Sequence, residues 1–477
     1  MPAQSQTLTE PAWFAPLAQP GVEFPPTALP VLAGHLPPQI RGTLYRNGPG
    51  RLERGGQSVG HWFDGDGAIL AVHFTETGAT GLYRYVQTEG YQAESEANQF
   101  LYGNYGMTAP GPLWNQWMRP TKNAANTSVL PLPDRLLALW EGGSPHALNL
   151  ETLETIGLDN LDELGPMEPY SAHAKQDPIT GEIFNFGIAP GAKARLLLYR
   201  SDRTGKIIQR GALELDGVPM IHDFALAGRF LVFFIPPVRL NPFPILLGLR
   251  SLSDELKWQP DKGTQILVFD RATLTLVSRG ETEPWFQWHF SNGCYEDATN
   301  RITLDLVRYN NFQTNQYLKE VPTGRLRTLA EGTLWRVQLD SKTAKVLDMQ
   351  QLVTQSCEFP VVDPRLVGQP WRYTYLSTHR PGVVPTQELL GTIARYDSQT
   401  GELTIADAGP NCYPSESLYI PNPPDPGEGW VMTVVYNGDR QTSEVWIYED
   451  DLAGGPICRL GLPQIIPFSF HGRWLGA

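Results

Sequence analysis

Four histidines in this chain could do chemistry together. They occur as Ser-Ala-His173-Ala, Met-Ile-His222-Asp-Phe, Gln-Trp-His289-Phe-Ser-Asn and Ser-Phe-His471-Gly-Arg-Trp, each beside or inside a short apolar, strand-like run. No short zinc-type spacing links them. Four neutral imidazoles would leave a divalent metal its full charge and open coordination positions, which suits oxygen chemistry better than structural zinc. Taken singly, any one of the nine histidines is more readily structural, and the other five are His35, His61, His73, His146 and His379. What favours the four is their setting. A buried neutral imidazole wants a partner on both nitrogens, and a shared metal would supply one.

Residues so far apart can meet only if a closed fold carries distant strands to one axis. The 477 residues include 41% apolar, 10% aromatic, Gly 46 and Pro 42, a balance that favours many strands and turns. One turn pattern recurs: a strand-like run, Asp, one or two residues, then Thr or Gly. Copies begin at Asp202, Asp270, Asp340 and Asp397, with a weaker one at Asp450. Asp caps its own turn and Gly accepts positive φ, so each copy reads as a β-hairpin. A spacing of roughly 60 residues fits propeller blades with long loops, and after a leader it leaves room for about seven. The expected fold is therefore all-β, a seven-bladed propeller in one domain over residues 1–477, with a few helices in loops capping one face. Residues 1–40, with Pro11, Pro16, Pro20, Pro25 and Pro26, are expected to be an extended leader wrapping the outside.

A net charge of −13 argues against nucleic acid as a partner. The cysteines Cys294, Cys357, Cys412 and Cys458 are too sparse for a disulfide scaffold and point to a reducing compartment. The N-terminus lacks the basic and apolar regions of a secretory signal, and no apolar run reaches the roughly 18 residues of a membrane span. Two segments without acidic residues are nevertheless apolar and flanked by Arg. One contains Leu113, Trp114 and Trp117; the other contains Phe243, Ile245, Leu246 and Leu247. They read as a patch dipping into one leaflet, so a cytoplasmic protein bound peripherally to membrane is expected. Internal helices or a dimer contact are the alternative. No obligatory protein partner is inferred.

Leu-Tyr45-Arg-Asn-Gly-Pro-Gly, Trp-Phe63-Asp-Gly-Asp-Gly, Ala-Asn-Thr127-Ser, Leu-Trp140-Glu141-Gly-Gly-Ser, Cys-Glu358-Phe-Pro and Phe-His471-Gly-Arg-Trp together resemble the carotenoid cleavage oxygenase family. The resemblance runs from about residue 40 to the C-terminus and is nearest to the bacterial apocarotenoid-cleaving branch. It implies a seven-bladed propeller with one Fe(II) per chain on its axis, held by His173, His222, His289 and His471, with dioxygen as co-substrate. It implies that Glu141, Glu358 and Glu416 hold the outer nitrogens of ligating imidazoles. It also implies that Phe63, Trp140 and Tyr309 line the approach of a hydrophobic polyene, with Thr127 near the open iron position. Two stretches depart from the family pattern, Met220 before Ile-His222 and Trp288-His289-Phe290, which alters the tunnel.

The reading that follows is an iron-dependent dioxygenase splitting one conjugated C=C bond of an apocarotenoid or carotenoid, at the 15,15′ position, to retinal-type aldehydes. A phenolic stilbene is the alternative substrate, with Lys122 as the residue to meet a phenolate. Retinoid ester isomerohydrolysis on the same scaffold is another alternative. A non-enzymatic propeller that binds partners is the reading of a different class.

Overall fold

The recurring aspartates do close hairpins in the structure, a computed structural model that describes residues 10–112, 114–115, 119, 121–165, 168–191, 193–422 and 427–477. Asp202 Oδ1 accepts from the backbone N–H (2.8 Å) and the hydroxyl (2.6 Å) of Thr204, turning Arg195–Ser201 into Ile207–Glu214. Asp270, Asp340 and Asp397 cap their turns in the same way. Positive φ in two of these turns falls on Leu274 (56°) and Ala344 (55°) rather than on glycine. In the weaker copy the cap is Asp451, one residue later than expected, whose Oδ1 takes the Ala453 N–H at 2.9 Å. A copy the repeat missed, Asp177-Pro-Ile-Thr-Gly181, joins Lys175–Gln176 to Ile183–Ala189.

Strands in the middle of a sheet are buried on both faces. Phe230–Ile235, an unbroken apolar run, is buried at every position, whereas the edge strand Ile207–Glu214 alternates. That contrast is expected where sheets stack face to face and only outer edges meet water.

The architecture is an all-β propeller. Among the described residues, and apart from two small two-stranded sheets, five antiparallel sheets stand as separate blades, one of five strands, three of four and one of six. A sixth sheet has eight strands and joins two antiparallel meanders through one parallel pair, Ala227 with Gly293. The expectation of seven separate blades is corrected here, and the cause is local. A Cβ on Gly293 would stand 2.9 Å from the Ala227 Cβ and 3.0 Å from the Leu226 carbonyl oxygen, so only glycine lets the two inner strands approach and bond.

The ring is closed by pairing the two ends of the chain: His471–Gly476 runs antiparallel to Gly42–Arg51, with Asn47 opposite His471. Upstream, Phe24–Ala28 adds an edge strand to Gly78–Tyr85, and Val31–Gly34 adds one to Pro456–Gly461. Trp13 and Leu17 are buried in short helical turns before them. Helices are few and short. The nine-residue Glu89–Ala97 starts on a Thr88 cap and stops at Asn98, in the left-handed region. Among the described residues no helix is long and apolar enough to cross a membrane.

Candidate metal centre

Each of the four histidines stands at or near the head of an innermost strand. His173 just precedes Lys175–Gln176, His222 precedes Ala225–Ala227, and His471 opens His471–Gly476. His289 lies in Phe286–Glu296 where the register slips between Gln287 and Phe290, a bulge that re-aims its side chain. One ligand atom from each lies within 4.8 Å of every other. The Nε2 atoms of His173 and His222 are 3.0 Å apart, those of His222 and His289 3.3 Å, and those of His289 and His471 3.1 Å.

The outer nitrogens decide what this convergence means. His289 Nδ1 donates to Glu358 Oε2 at 2.5 Å, and His471 Nδ1 donates to Glu416 Oε1 at 2.9 Å. His222 Nδ1 is in contact with Glu141. A carboxylate can only accept, so these three rings carry their hydrogen on Nδ1 and turn bare Nε2 lone pairs inward. Three lone pairs facing one another at about hydrogen-bond distance repel unless a cation stands among them. The donor set therefore fits a divalent metal held by neutral imidazoles, with carboxylates fixing tautomer and ring orientation from behind.

Burial, reinforced by the neighbouring imidazoles, keeps His173 well below the ordinary histidine range. Burial also lowers His471, against the pull of Glu416. At His289 burial is opposed and outweighed by the Glu358 charge, which raises its pKa. Burial works against ionised Glu416 too, yet His471 and Arg46 hold it below the usual carboxylate range. Arg46 is wholly enclosed: Nη1 donates to the Glu416 backbone carbonyl at 2.6 Å and Nε to the Ser469 hydroxyl at 2.7 Å.

An apolar cavity of about 120 Å³ adjoins the tetrad, walled by Trp62, Phe63, Trp288, Tyr309 and Phe359 among others. A more polar cavity of about 210 Å³ reaches the same centre past Lys175, Asp223 and Arg473. His289, Phe359, Glu416 and His471 line both. Phe359 sits at φ 53°, unusual for a bulky residue, and its ring packs 5.4 Å from both the His289 and His471 rings.

The sequence matches the family described as Retinal pigment epithelial membrane protein over residues 17–476. It is 34% identical over 456 residues to the apocarotenoid-15,15′-oxygenase of Synechocystis sp., covering 92% of this chain and 91% of that one. The chain belongs to the carotenoid cleavage oxygenases. It is also similar to the isoeugenol monooxygenase of Pseudomonas nitroreducens, 27% identical with 93% of each chain covered. The crystal structure of cobalt-substituted Synechocystis apocarotenoid oxygenase superposes with a TM-score of 0.90 at 32% identity, covering 98% of both chains. Its named relatives are oxygenases, and this chain is an oxidoreductase of that family.

Among the residues singled out as a carotenoid-oxygenase site, the four histidines and the three glutamates are brought together. Phe63 lies parallel to the His222 ring at 6.5 Å, and Thr127 lines the apolar cavity while its backbone carbonyl accepts from His471 N–H at 3.3 Å. Tyr309 lines the cavity and donates its hydroxyl to Glu358 Oε1 at 3.1 Å. The Trp140 ring packs over Gly142, where a Cβ would stand 2.7 Å away, and Trp140 adjoins the Glu141 that contacts His222. Trp114, Phe243, Leu246 and Leu247 are exposed, and Ile245 is half-buried. Leu113 and Trp117 lie outside the described residues.

Reading the sequence missed Arg46, although Tyr45-Arg46-Asn-Gly-Pro-Gly was in view. Its partner Glu416 lies 370 positions away, and nothing local announces the pair. In the alternative stilbene reading, Lys122 is the residue that would meet a phenolate. Instead Nζ contacts Asp66 and lies 2.6 Å from Glu94, all three wholly enclosed, with Arg54 2.7 Å from Asp66.

Proposed function

We propose that this protein is an Fe(II)-dependent dioxygenase that cleaves one conjugated C=C bond of an apocarotenoid or carotenoid to two carbonyl products, with the 15,15′ bond and retinal-type aldehydes as the first expectation. The observation that carries the reading is the set of bare Nε2 lone pairs facing one another beside an apolar cavity.

His173, His222, His289 and His471 would hold one iron per chain on the propeller axis, and Glu141, Glu358 and Glu416 would orient three of them. Bound there, ferrous iron supplies the means to react dioxygen with an electron-rich alkene. The chain's own residues do the rest by placement. Neutral imidazoles leave the metal its charge, while the three carboxylates offset it from one ring away. Phe63, Trp288, Tyr309 and Phe359 wall the polyene and exclude water from its reacting bond. Thr127 has its hydroxyl tied to Asn126 Oδ1 at 3.1 Å, so its methyl group is the part that restricts approach to the tetrad. No side chain is needed as a general acid or base.

The isoeugenol monooxygenase relative keeps a phenolic substrate in play, and a stilbene would be its larger counterpart. A phenolate needs a cation in the cavity. Lys122 has both its carboxylate partners already and is not among the cavity-lining residues, which favours a neutral polyene. Such substrates reside in bilayers, so the apolar residues Trp114, Phe243, Leu246 and Leu247 are assigned to a peripheral membrane contact.

The test is incubation of the iron-loaded protein with a panel of apocarotenals and hydroxystilbenes under labelled dioxygen, with both fragments identified. Two labelled aldehydes from an apocarotenal support the reading. Cleavage of the stilbene alone transfers it to the phenolic alternative, and release of unlabelled alcohol from a retinyl ester, with every apocarotenal left intact, transfers it to isomerohydrolysis.

A further inference from the structure

Besides Trp62 Nε1, two buried polar atoms of the residues lining the apolar cavity have neither a hydrogen-bond nor an ion-pair partner, His379 Nε2 and Ser377 Oγ. Both residues are almost wholly enclosed, His379 at 5% exposure and Ser377 at 1%. They share a face because they alternate along the chain at the end of the strand Tyr373–Thr378. Backbone bonds pin the segment: His379 N–H donates to the Ser356 carbonyl at 3.0 Å, and Gln355 Nε2 donates to the His379 carbonyl at 2.5 Å.

The His379 ring is held at one nitrogen only. Nδ1 lies 3.1 Å from the Ser356 hydroxyl. Burial keeps the ring neutral, with a pKa pushed down to about 4, and the nearby Glu388 and Ser356 carbonyls oppose that without bonding Nε2 at ordinary length and angle. With the Ser356 hydroxyl donating to Nδ1, Nε2 carries the hydrogen and presents it to the cavity. A buried donor without a well-formed bond is costly, and the nearby Glu388 carbonyl does not meet Nε2 in ordinary hydrogen-bond geometry.

We propose that His379, assisted by Ser377, receives a neutral oxygen at one end of the polyene, an aldehyde or an alcohol, and so selects oxygen-terminated apocarotenoids over hydrocarbons of the same length. The inference rests on the dioxygenase reading above and names which polyenes that site prefers. It also supplies a ruler. Ser377 pairs across the sheet with Glu358, the carboxylate behind His289, and His379 lies two residues, roughly 7 Å, further along the strand. Anchoring the terminal oxygen there fixes which double bond lies beside the tetrad.

The experiment compares an apocarotenal with its matched hydrocarbon, in which a methyl group replaces the aldehyde. Binding to metal-free protein is read from quenching of tryptophan emission, and cleavage by the iron-loaded protein is read as KM and kcat. The wild type should bind the aldehyde on the order of tenfold more tightly. H379L should abolish most of that preference through KM, leave hydrocarbon affinity in place and loosen the choice of cleaved bond, and H379Q should restore part of both. S377A, a smaller change that keeps the fold if H379L does not, should move the preference in the same direction. Equal treatment of the pair by the wild type, or an unchanged preference in H379L and S377A, overturns the assignment while leaving the dioxygenase standing. Failure of the wild type to bind or cleave either polyene overturns both.

Discussion

His289 and Glu358 are joined at 2.5 Å through Nδ1 and Oε2, and the Tyr309 hydroxyl holds the other carboxylate oxygen at 3.1 Å. One side chain thus fixes the tautomer of a proposed ligand and is itself fixed by the cavity wall. In the proposed function, metal binding and substrate packing would meet in this carboxylate. E358Q should weaken metal affinity by roughly 10- to 100-fold, with Y309F giving a smaller loss in the same direction. Competition against a chromophoric chelator measures both without turnover. Wild-type affinity in E358Q would mean that the carboxylate does not orient a ligand.

Lys122 separates a structural role from a substrate role. Its ammonium stands between Asp66 and Glu94, all buried. K122M leaves two enclosed carboxylates with only Arg54 to answer them, and should destabilise the protein by about 3–5 kcal/mol. Denaturant unfolding measures this. A variant of wild-type stability that loses phenolic substrates alone would restore the stilbene reading.

Acid should destabilise the metal-free protein. Burial pushes His61 down to about 3 and His146 and His379 down to about 4. Unfolded, these rings take up protons below about pH 6.5, while the folded protein resists until about pH 4. Stability is therefore full above about pH 6.5 and falls as pH drops. Asp64 runs the other way: burial raises it to about 7, so it favours the folded state at lower pH. D64N should steepen the acid loss between about pH 7 and 4, and replacing His146 with Gln should flatten it. Unfolding curves at pH 7.5, 6 and 5 check both signs.

Phe243 is 68% exposed and Leu246 65%, two large apolar side chains three residues apart on one short helix. Replacing Phe243, Leu246 and Leu247 with Ser should reduce flotation with phospholipid vesicles several-fold while leaving cleavage of detergent-dispersed substrate near wild type. Unchanged flotation would remove the membrane assignment.

Local signals were legible in the sequence, and long-range ones were not. The hairpin aspartates could be found because each bonds residues two or three positions away, so Asp202 and Thr204 lie within one turn. The histidines could be found because each follows its own apolar run. Glu358 and Glu416 were reached through motifs, and the geometry puts both behind imidazoles. The merging of two meanders at Gly293 depends on the missing Cβ meeting Ala227 from another strand, and no turn marks it. His379 shows the same limit from the other side: its context is unremarkable, and only the cavity shows that one of its nitrogens lacks a partner.

In the proposed function four inward Nε2 atoms hold one iron beside a polyene. The most direct measurement is single-turnover cleavage of an apocarotenal by anaerobically reconstituted protein, with bound iron counted on the same sample and the fragments analysed after exposure to labelled dioxygen. One iron per chain and label in both aldehydes is the predicted result. Fewer than about 0.1 iron per chain after reconstitution, or an intact polyene in protein that holds its iron, would contradict it.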